Sequence, residues 1–471
     1  MLKTVSLIGL CLLSASSMAE MRIYDATKAD QLLEAQGEDI FPVDEKARRI
    51  WLKSRAFEAA VFGRSAVLTY KQMHEQAIDL QSPSYIGFNR FEHGRDLAGP
   101  GYKVFKTPNA DTLYSNAYLD LTAGPILLTV PSTGGRYYTV NFLDMYGNAT
   151  NISARTHGTA GGKYLIAPTD WQGEVPADVT LFRVAQPYMW ILMRVAVSST
   201  VELPAARETQ EKFVLDGIST QPHENLYPTP AVDGDPASFL KVLDWVVEHA
   251  GVSRTERAHV AGFGVLGVGG GRSVEEVIQD KVSKEAIVEG FNEAEDVIKR
   301  SLGPHGTSAG GGWRYVADLG RFGHNYLTRA VVNTLGTGAN VRRENFAFTN
   351  FEDASGAPLD GSKYAYTLRF ETPPPSEFFW SVTVYDRETQ ELVPNRDSKY
   401  LVGSNTPDLR LEKDGAIVIH LSKDASGSND LPIPDGPFYL ALRAQGPLPE
   451  LLSGDWQPSP IRAVEAGNAQ P

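Results

Sequence analysis

The spacing of apolar residues changes period three times along this chain, and each change marks a different kind of element. Ile50, Phe57, Val61 and Leu68 share one face of a helix running from Glu45 to about Leu80. From Asp111 the period falls to two. Short apolar and aromatic runs follow over Leu113–Leu119, Ile126–Val130, Tyr137–Leu143, Tyr164–Ile166, Val179–Val184 and Met189–Val197. Turn signals part them, among them Ser132-Thr133-Gly134-Gly135, Tyr146-Gly147-Asn148 and Gly161-Gly162. Short strands with such spacers predict an antiparallel sandwich or jelly roll, not a βαβ repeat.

Helical periodicity returns between about 204 and 300, clearest in Phe239–His249 and Val274–Arg300. The glycine-rich stretch Gly303–Gly312 cannot hold a helix and marks a loop, after which a helix is expected over Phe322–Leu335. Strands resume at Tyr364–Phe370, Phe379–Tyr385, Lys399–Val402, Ile417–Leu421 and Phe438–Arg443. The expected fold class is therefore mainly β with α: two antiparallel jelly-roll-like β-sandwich domains joined by a helical middle segment. The expected division is 1–19 signal peptide, 20–200 N-terminal helix plus β-sandwich, 201–340 helical and Gly-rich linking region, 341–462 C-terminal β-sandwich, and a frayed tail over 463–471.

The N-terminus sets the compartment. Lys3, the apolar run Val5–Leu13 and the small-x-small site Ser17-Met18-Ala19 have the layout of a cleaved secretory signal, which predicts a periplasmic or secreted protein. The only cysteine, Cys11, falls inside that signal, so the exported chain has no disulfide, thiol nucleophile or cysteine metal site. A formal charge of −13 with no basic stripe argues against nucleic acid, and no later stretch is apolar enough to span a membrane. A homo-oligomer would suit a sheet-rich exported chain.

Two motifs match catalytic patterns without their context. Gly262-Phe263-Gly264-Val265-Leu266-Gly267 fits the dinucleotide-binding glycine pattern, but a helix-like segment precedes it where a strand is required. Gly306-Thr307-Ser308-Ala309-Gly310 fits the nucleophile elbow of serine hydrolases, but lies in a glycine-rich loop. The histidines, including His93, His157 and His324, show no paired ligand spacing. No metal and no cofactor is implied.

The constellation that carries chemistry is denser. Asn109, Asp111, Thr112, Tyr114 and Asn116 form one polar cluster at a strand end, and Asp144, Tyr146 and Asn148 another, with Arg155 and Arg194 as cations. Asp111 and Asp144 are the catalytic candidates for proton transfer; Asn109, Tyr114, Tyr146, Arg155 and Arg194 are the ligand-binding candidates. The alternative is structural: the aspartates cap turns, and Arg194, alternating with Met193 and Val195, takes one of them as a buried ion-pair partner.

These residues carry a resemblance. Pro108–Ser115, Asp120-Leu121, Gly124-Pro125, Arg136-Tyr137-Tyr138, Asp144-Met145-Tyr146 and Gly173–Pro176 resemble the domain of unknown function numbered twelve-fifty-four. Gly356–Gly361, Phe379–Asp386, Asp414-Gly415 and Pro437–Arg443 resemble its usual partner, the domain of unknown function numbered twelve-fourteen. The resemblance implies an exported bacterial protein with two jelly-roll-like domains and no established reaction. One departure is Asn429-Asp430, where the second family often has Trp after the Asn. The functional expectation is an enzyme of hydrolase or lyase type, acting on a polar, carboxylated or glycan-like small molecule. The alternative is a non-catalytic ligand- or surface-binding protein.

Overall fold

The computed structural model describes residues 40–464 apart from 103, 218–225 and 304. The expected signal peptide lies outside the described residues. Among them no helix is long and apolar enough to cross a membrane.

Nine strands build the N-terminal half: β1 (Glu92–His93), β2 (Thr112–Asp120), β3 (Ile126–Val130), β4 (Tyr138–Leu143), β5 (Ala149–Ser153), β6 (Gly162–Pro168), β7 (Thr180–Val184), β8 (Tyr188–Ala196) and β9 (Val214–Asp216). They form a five-stranded sheet in the order β1-β2-β8-β4-β5 and a four-stranded sheet in the order β7-β6-β3-β9. Leu113, Ala117 and Leu119 of β2 and Met189, Ile191, Met193 and Val195 of β8 fill the core between the sheets. The alternate residues, Tyr114 and Tyr118 with Tyr188, Trp190 and Leu192, face the other way and are also buried. Both faces of the five-stranded sheet are covered, so β8 is buried along its whole length and β2 everywhere but at Asn116.

Four helices supply that second cover, α1 (Glu45–Met73), α3 (Pro236–His249), α4 (Lys281–Arg300) and α5 (Tyr326–Leu335), whereas α2 (Leu203–Glu211) packs into the core between the sheets through Leu203 and Ala206. Asp44 caps α1, its carboxylate accepting from Ala47 N at 2.8 Å. The long helix read over Val274–Arg300 is broken, because Asp280 takes an extended conformation and caps α4. Helices α1 and α4 pack closely; a Cβ on Gly290 would come within 2.3 Å of Lys53 O, so glycine sets their separation. Ion pairs Lys53–Glu293 (2.7 Å) and Arg64–Glu295 (2.9 Å) flank the contact, each exposed enough to add at most about 1 kcal/mol. The helical middle is thus a layer against the sheet, with α1 in it, and not a linker.

The C-terminal half contains β10 (Thr307–Ser308), β11 (Trp313–Tyr315), β12 (Asn345–Asn350), β13 (Ala365–Phe370), β14 (Ser376–Asp386), β15 (Leu401–Gly403), β16 (Ile417–Ser422), β17 (Asp430–Pro432), β18 (Phe438–Pro447) and β19 (Arg462–Val464). A six-stranded sheet, β10-β11-β12-β18-β14-β15, faces a four-stranded one, β17-β16-β13-β19. The two-sandwich expectation holds, with one difference: the pairs β6–β7 and β16–β17 are parallel. Two boundaries move as well. β9 extends the first sandwich beyond 200, and β10 and β11 join the second from inside the Gly-rich region. Ala463, read as frayed, pairs with Tyr366 through β19.

The outer face of the six-stranded sheet turns toward the N-terminal half. Tyr385, Leu392, Tyr439 and Ala441 pack there with Ala98, and Tyr102 and Ala110 lie against them. This seam positions the site.

Candidate functional site

A cavity of about 340 Å³ opens along the seam, within the usual range for small-molecule sites. The N-terminal sandwich contributes Asn109, Tyr114 and Arg194, the turn after α5 contributes Gly336 to Asn340, and the six-stranded sheet contributes Ala347, Thr349, Tyr439 and Arg443. Five further side chains set its character. Lys106, Arg314 and Arg387 are cationic; Phe105 and Phe351 are aromatic. Among the described residues, no aspartate or glutamate lines it.

Arg194 lies on β8 in register with Tyr114 of β2 and Thr139 of β4. Alternation puts it on the face of Trp190 and Leu192, opposite Met193 and Val195, as the strand pattern predicts. No carboxylate meets it there among the described residues. Its Nη2 donates instead to Gly338 O at 2.9 Å, and its guanidinium carbon sits 5.4 Å from the Tyr114 ring centre. The expected ion pair with Asp111 or Asp144 is therefore not formed.

Arg443 enters from the other half. Its Nη1 donates to Tyr385 Oη at 2.8 Å and its Nη2 to Thr107 O at 2.9 Å. Tyr385 Oη donates in turn to Pro108 O at 2.6 Å, and the Thr107 and Tyr439 hydroxyls lie 2.8 Å apart. Asn109 N donates to Tyr114 Oη at 2.8 Å. Thr107 and Pro108 are thus tied into the C-terminal sheet, and Asn109 to β2. Arg194 and Arg443 are 9% and 8% exposed, two nearly buried cations facing one cavity.

The remaining candidates lie elsewhere. Asp111 is buried just behind Arg443 and accepts from Ser381 Oγ at 2.7 Å; burial pushes its carboxyl above the usual range, against the pull of that bond and of Arg443. Asp144 closes a turn, accepting from Tyr146 N (2.9 Å), Asn148 N (2.8 Å) and Asn148 Nδ2 (2.9 Å), and burial raises it too. Along β8, Asp111 sits beside Val197 while Asp144 follows the Leu143–Trp190 pair, which separates them by roughly 25 Å of strand. They cannot act on one substrate as an acid/base pair. Tyr146 is buried against Phe62, and Arg155 Nε donates to the buried Glu344 at 2.9 Å, which also accepts from Tyr137 and Ser153. Neither lines the cavity.

Sequence reasoning missed Arg314, Arg387 and Arg443. Arg443 carried a signal, since it stands among apolar strand residues as Arg194 does. Of the two motifs set aside, Phe263 and Leu266 are buried in the helical core after a short helix, and Ser308 lies exposed on the edge strand β10. Among the described residues no cluster of His, Cys, Asp and Glu could hold a metal.

Residues 88–217 match the family described as Protein of unknown function (DUF1254), and residues 344–449 match Protein of unknown function (DUF1214). The chain belongs to the paired DUF1254–DUF1214 proteins. The cavity lies where the two meet, with Asn109, Tyr114 and Arg194 from the DUF1254 part and Arg387, Tyr439 and Arg443 from the DUF1214 part. The solved structure of the VPA0106 protein from Vibrio parahaemolyticus is similar at 25% identity and a TM-score of 0.67, over 88% of this chain and 100% of that one. An uncharacterized protein from Burkholderia cenocepacia aligns at 12% identity and a TM-score of 0.42, over 96% of this chain and 98% of that one. No curated protein matches.

Proposed function

We propose that this protein captures a small organic acid in the cavity between its two sandwiches. One observation carries the reading: Arg194 and Arg443 are almost wholly buried, face the same cavity, and meet no acidic side chain within it among the described residues. Burying a guanidinium costs several kcal/mol unless a partner offsets it. Carbonyl oxygens occupy part of the Arg194 fork, and a phenol and a carbonyl oxygen part of the Arg443 fork, behind which Asp111 offsets some of the charge; donors remain for an anion. A carboxylate suits that geometry, since it accepts charge-assisted bonds from a planar fork. Apolar walls from Leu302, Leu319, Val332 and Leu335 favour an organic acid over an inorganic ion. In a chain of formal charge −13, a cationic cleft also concentrates anions locally.

The role is capture rather than proton transfer by paired carboxylates, because Asp111 and Asp144 both lie outside the cavity. Thermal shifts against carboxylic acids and their neutral primary amides test it. The acids raise the melting temperature and the amides do not; a ligand at a hundredfold its dissociation constant adds about 2.7 kcal/mol. Arg194→Gln removes the response. Equal shifts from acids and amides, or an undiminished response in Arg194→Gln, would overturn the reading.

A further inference from the structure

We infer that the captured acid carries two anionic groups at the ends of an extended apolar body. The inference rests on the anion-capture reading and extends it to a second pole. The first pole is Arg194 with Arg443. Arg443 pairs in register with Ala347 of β12, so this pole stands over that point of the strand. Further along β12, Thr349 pairs with Arg314 of β11, and Phe351 follows just beyond the strand with the Arg387 guanidinium carbon 5.7 Å from its ring centre.

Neither Arg314 nor Arg387 has a carboxylate within salt-bridge distance among the described residues, unlike Lys106, which pairs with Glu391 at 3.3 Å. Arg314 makes only a 3.4 Å bond to Gly306 O, and Arg387 only its aromatic contact. Ala347 to Phe351 is four strand positions, roughly 13 Å. The floor between the poles is built from the small side chains Ala347 and Thr349, with the Phe351 and Tyr439 rings stacked 4.8 Å apart at the far end. Small residues leave room for a chain to lie along the strand, and the rings give it an apolar bed. A short diacid cannot touch both poles; an extended one can.

Isothermal titration of the full chain compares decanedioate with decanoate, which differ only in one terminal carboxylate, and butanedioate with butanoate as the short pair. Decanedioate is expected to bind about tenfold tighter than decanoate. Butanedioate should gain nothing comparable over butanoate. The double variant R314Q/R387Q, in which the deep pole is untouched, should bring decanedioate down to decanoate, whereas R194Q weakens both. If decanedioate and decanoate bind alike and R314Q/R387Q changes neither, the two-pole inference is wrong while anion capture stands. If neither acid binds, or R194Q binds both as the wild type does, the capture reading itself fails and takes this inference with it.

Discussion

Ser381 Oγ donates to Asp111 Oδ2 at 2.7 Å, a buried hydrogen bond that joins the start of β2 in one sandwich to β14 of the other. Asp111 immediately precedes β2, and Ser381 pairs with Arg443 across β14 and β18. The carboxylate that resembled a catalytic group in sequence therefore stands behind the cavity wall. It supports Arg443 and locks the seam.

Ser381→Ala should cost about 1–3 kcal/mol, because it strips a donor from a buried carboxyl and leaves no water-accessible substitute. Urea unfolding followed by tryptophan fluorescence reads this directly. A change of under about 0.5 kcal/mol, the usual scatter of surface substitutions, would show that the bond does not hold the seam.

The same burial makes a pH prediction. Asp111 titrates above its ordinary value of 3.8, mainly through desolvation. A folded state that holds the proton more tightly than the unfolded chain gains stability below the unfolded value and loses it as pH rises through the folded one. Exposed carboxylates such as Asp280 are shifted downward and act in the opposite sense, so the whole-protein curve mixes both. The difference between wild type and Asp111→Asn isolates the effect of this one carboxyl. Relative to that variant, the wild-type melting temperature should fall as pH is raised from about 4 toward neutrality. A flat difference would mean that Asp111 has an ordinary carboxyl.

Gly338 links the turn after α5 to the cavity. Its φ is +82°, and a Cβ there would lie 2.5 Å from Leu192 Cδ2 and 2.9 Å from Trp190 Cη2. Its carbonyl is also the acceptor for Arg194. Gly338→Ala should therefore move the turn, release Arg194 and weaken decanoate binding by about tenfold, a loss of about 1.4 kcal/mol in affinity. Titration of the variant alongside Arg194→Gln checks it; a Gly338→Ala protein that binds like wild type would show the carbonyl is dispensable.

How far the sequence foretold this arrangement depended on where each signal was written. β2 and β8 were legible because their alternation is strong and both faces are buried. β5 and β12 were not, since Ala149–Ser153 and Asn345–Asn350 intersperse asparagines and threonine that serve polar networks such as Asn151 with Asn340. Asn109, Tyr114 and Arg194 stood out as polar residues in one strand-rich region, and the cavity gathers all three. Asp144 stood out for the same reason and is only a turn cap. Arg314, Arg387 and Arg443 reach the cavity through the packing of two halves, which no local spacing records.

Ser308 should behave as a loop residue. It lies exposed, its Oγ accepts from Gly310 N at 3.3 Å, and among the described residues no histidine is hydrogen-bonded to it. A fluorophosphonate probe should leave the protein unlabelled, and Ser308→Ala should melt as wild type does. Labelling that Ser308→Ala abolishes would restore the hydrolase reading.

The largest stability effect should come from the helical layer. Arg329 of α5 is fully buried; its Nη1 donates to Glu256 Oε1 at 3.0 Å and its Nη2 to Phe62 O at 3.0 Å. Phe62, Tyr146 and Tyr326 surround the guanidinium at 4.7, 5.2 and 4.9 Å from their ring centres. Removing one partner strands the other charge in an apolar cage, so Glu256→Gln should cost about 3–5 kcal/mol. Replacing both partners with apolar residues of similar size should cost much less than the two single changes together, because no lone charge remains buried. The single variants Glu256→Leu and Arg329→Met, with the double variant that combines them, form the cycle in urea unfolding. Additive losses would mean that each side chain acts through its own packing. A coupled result would identify the pair as the clasp that fixes α5, and through it the turn that carries Gly338, against the five-stranded sheet.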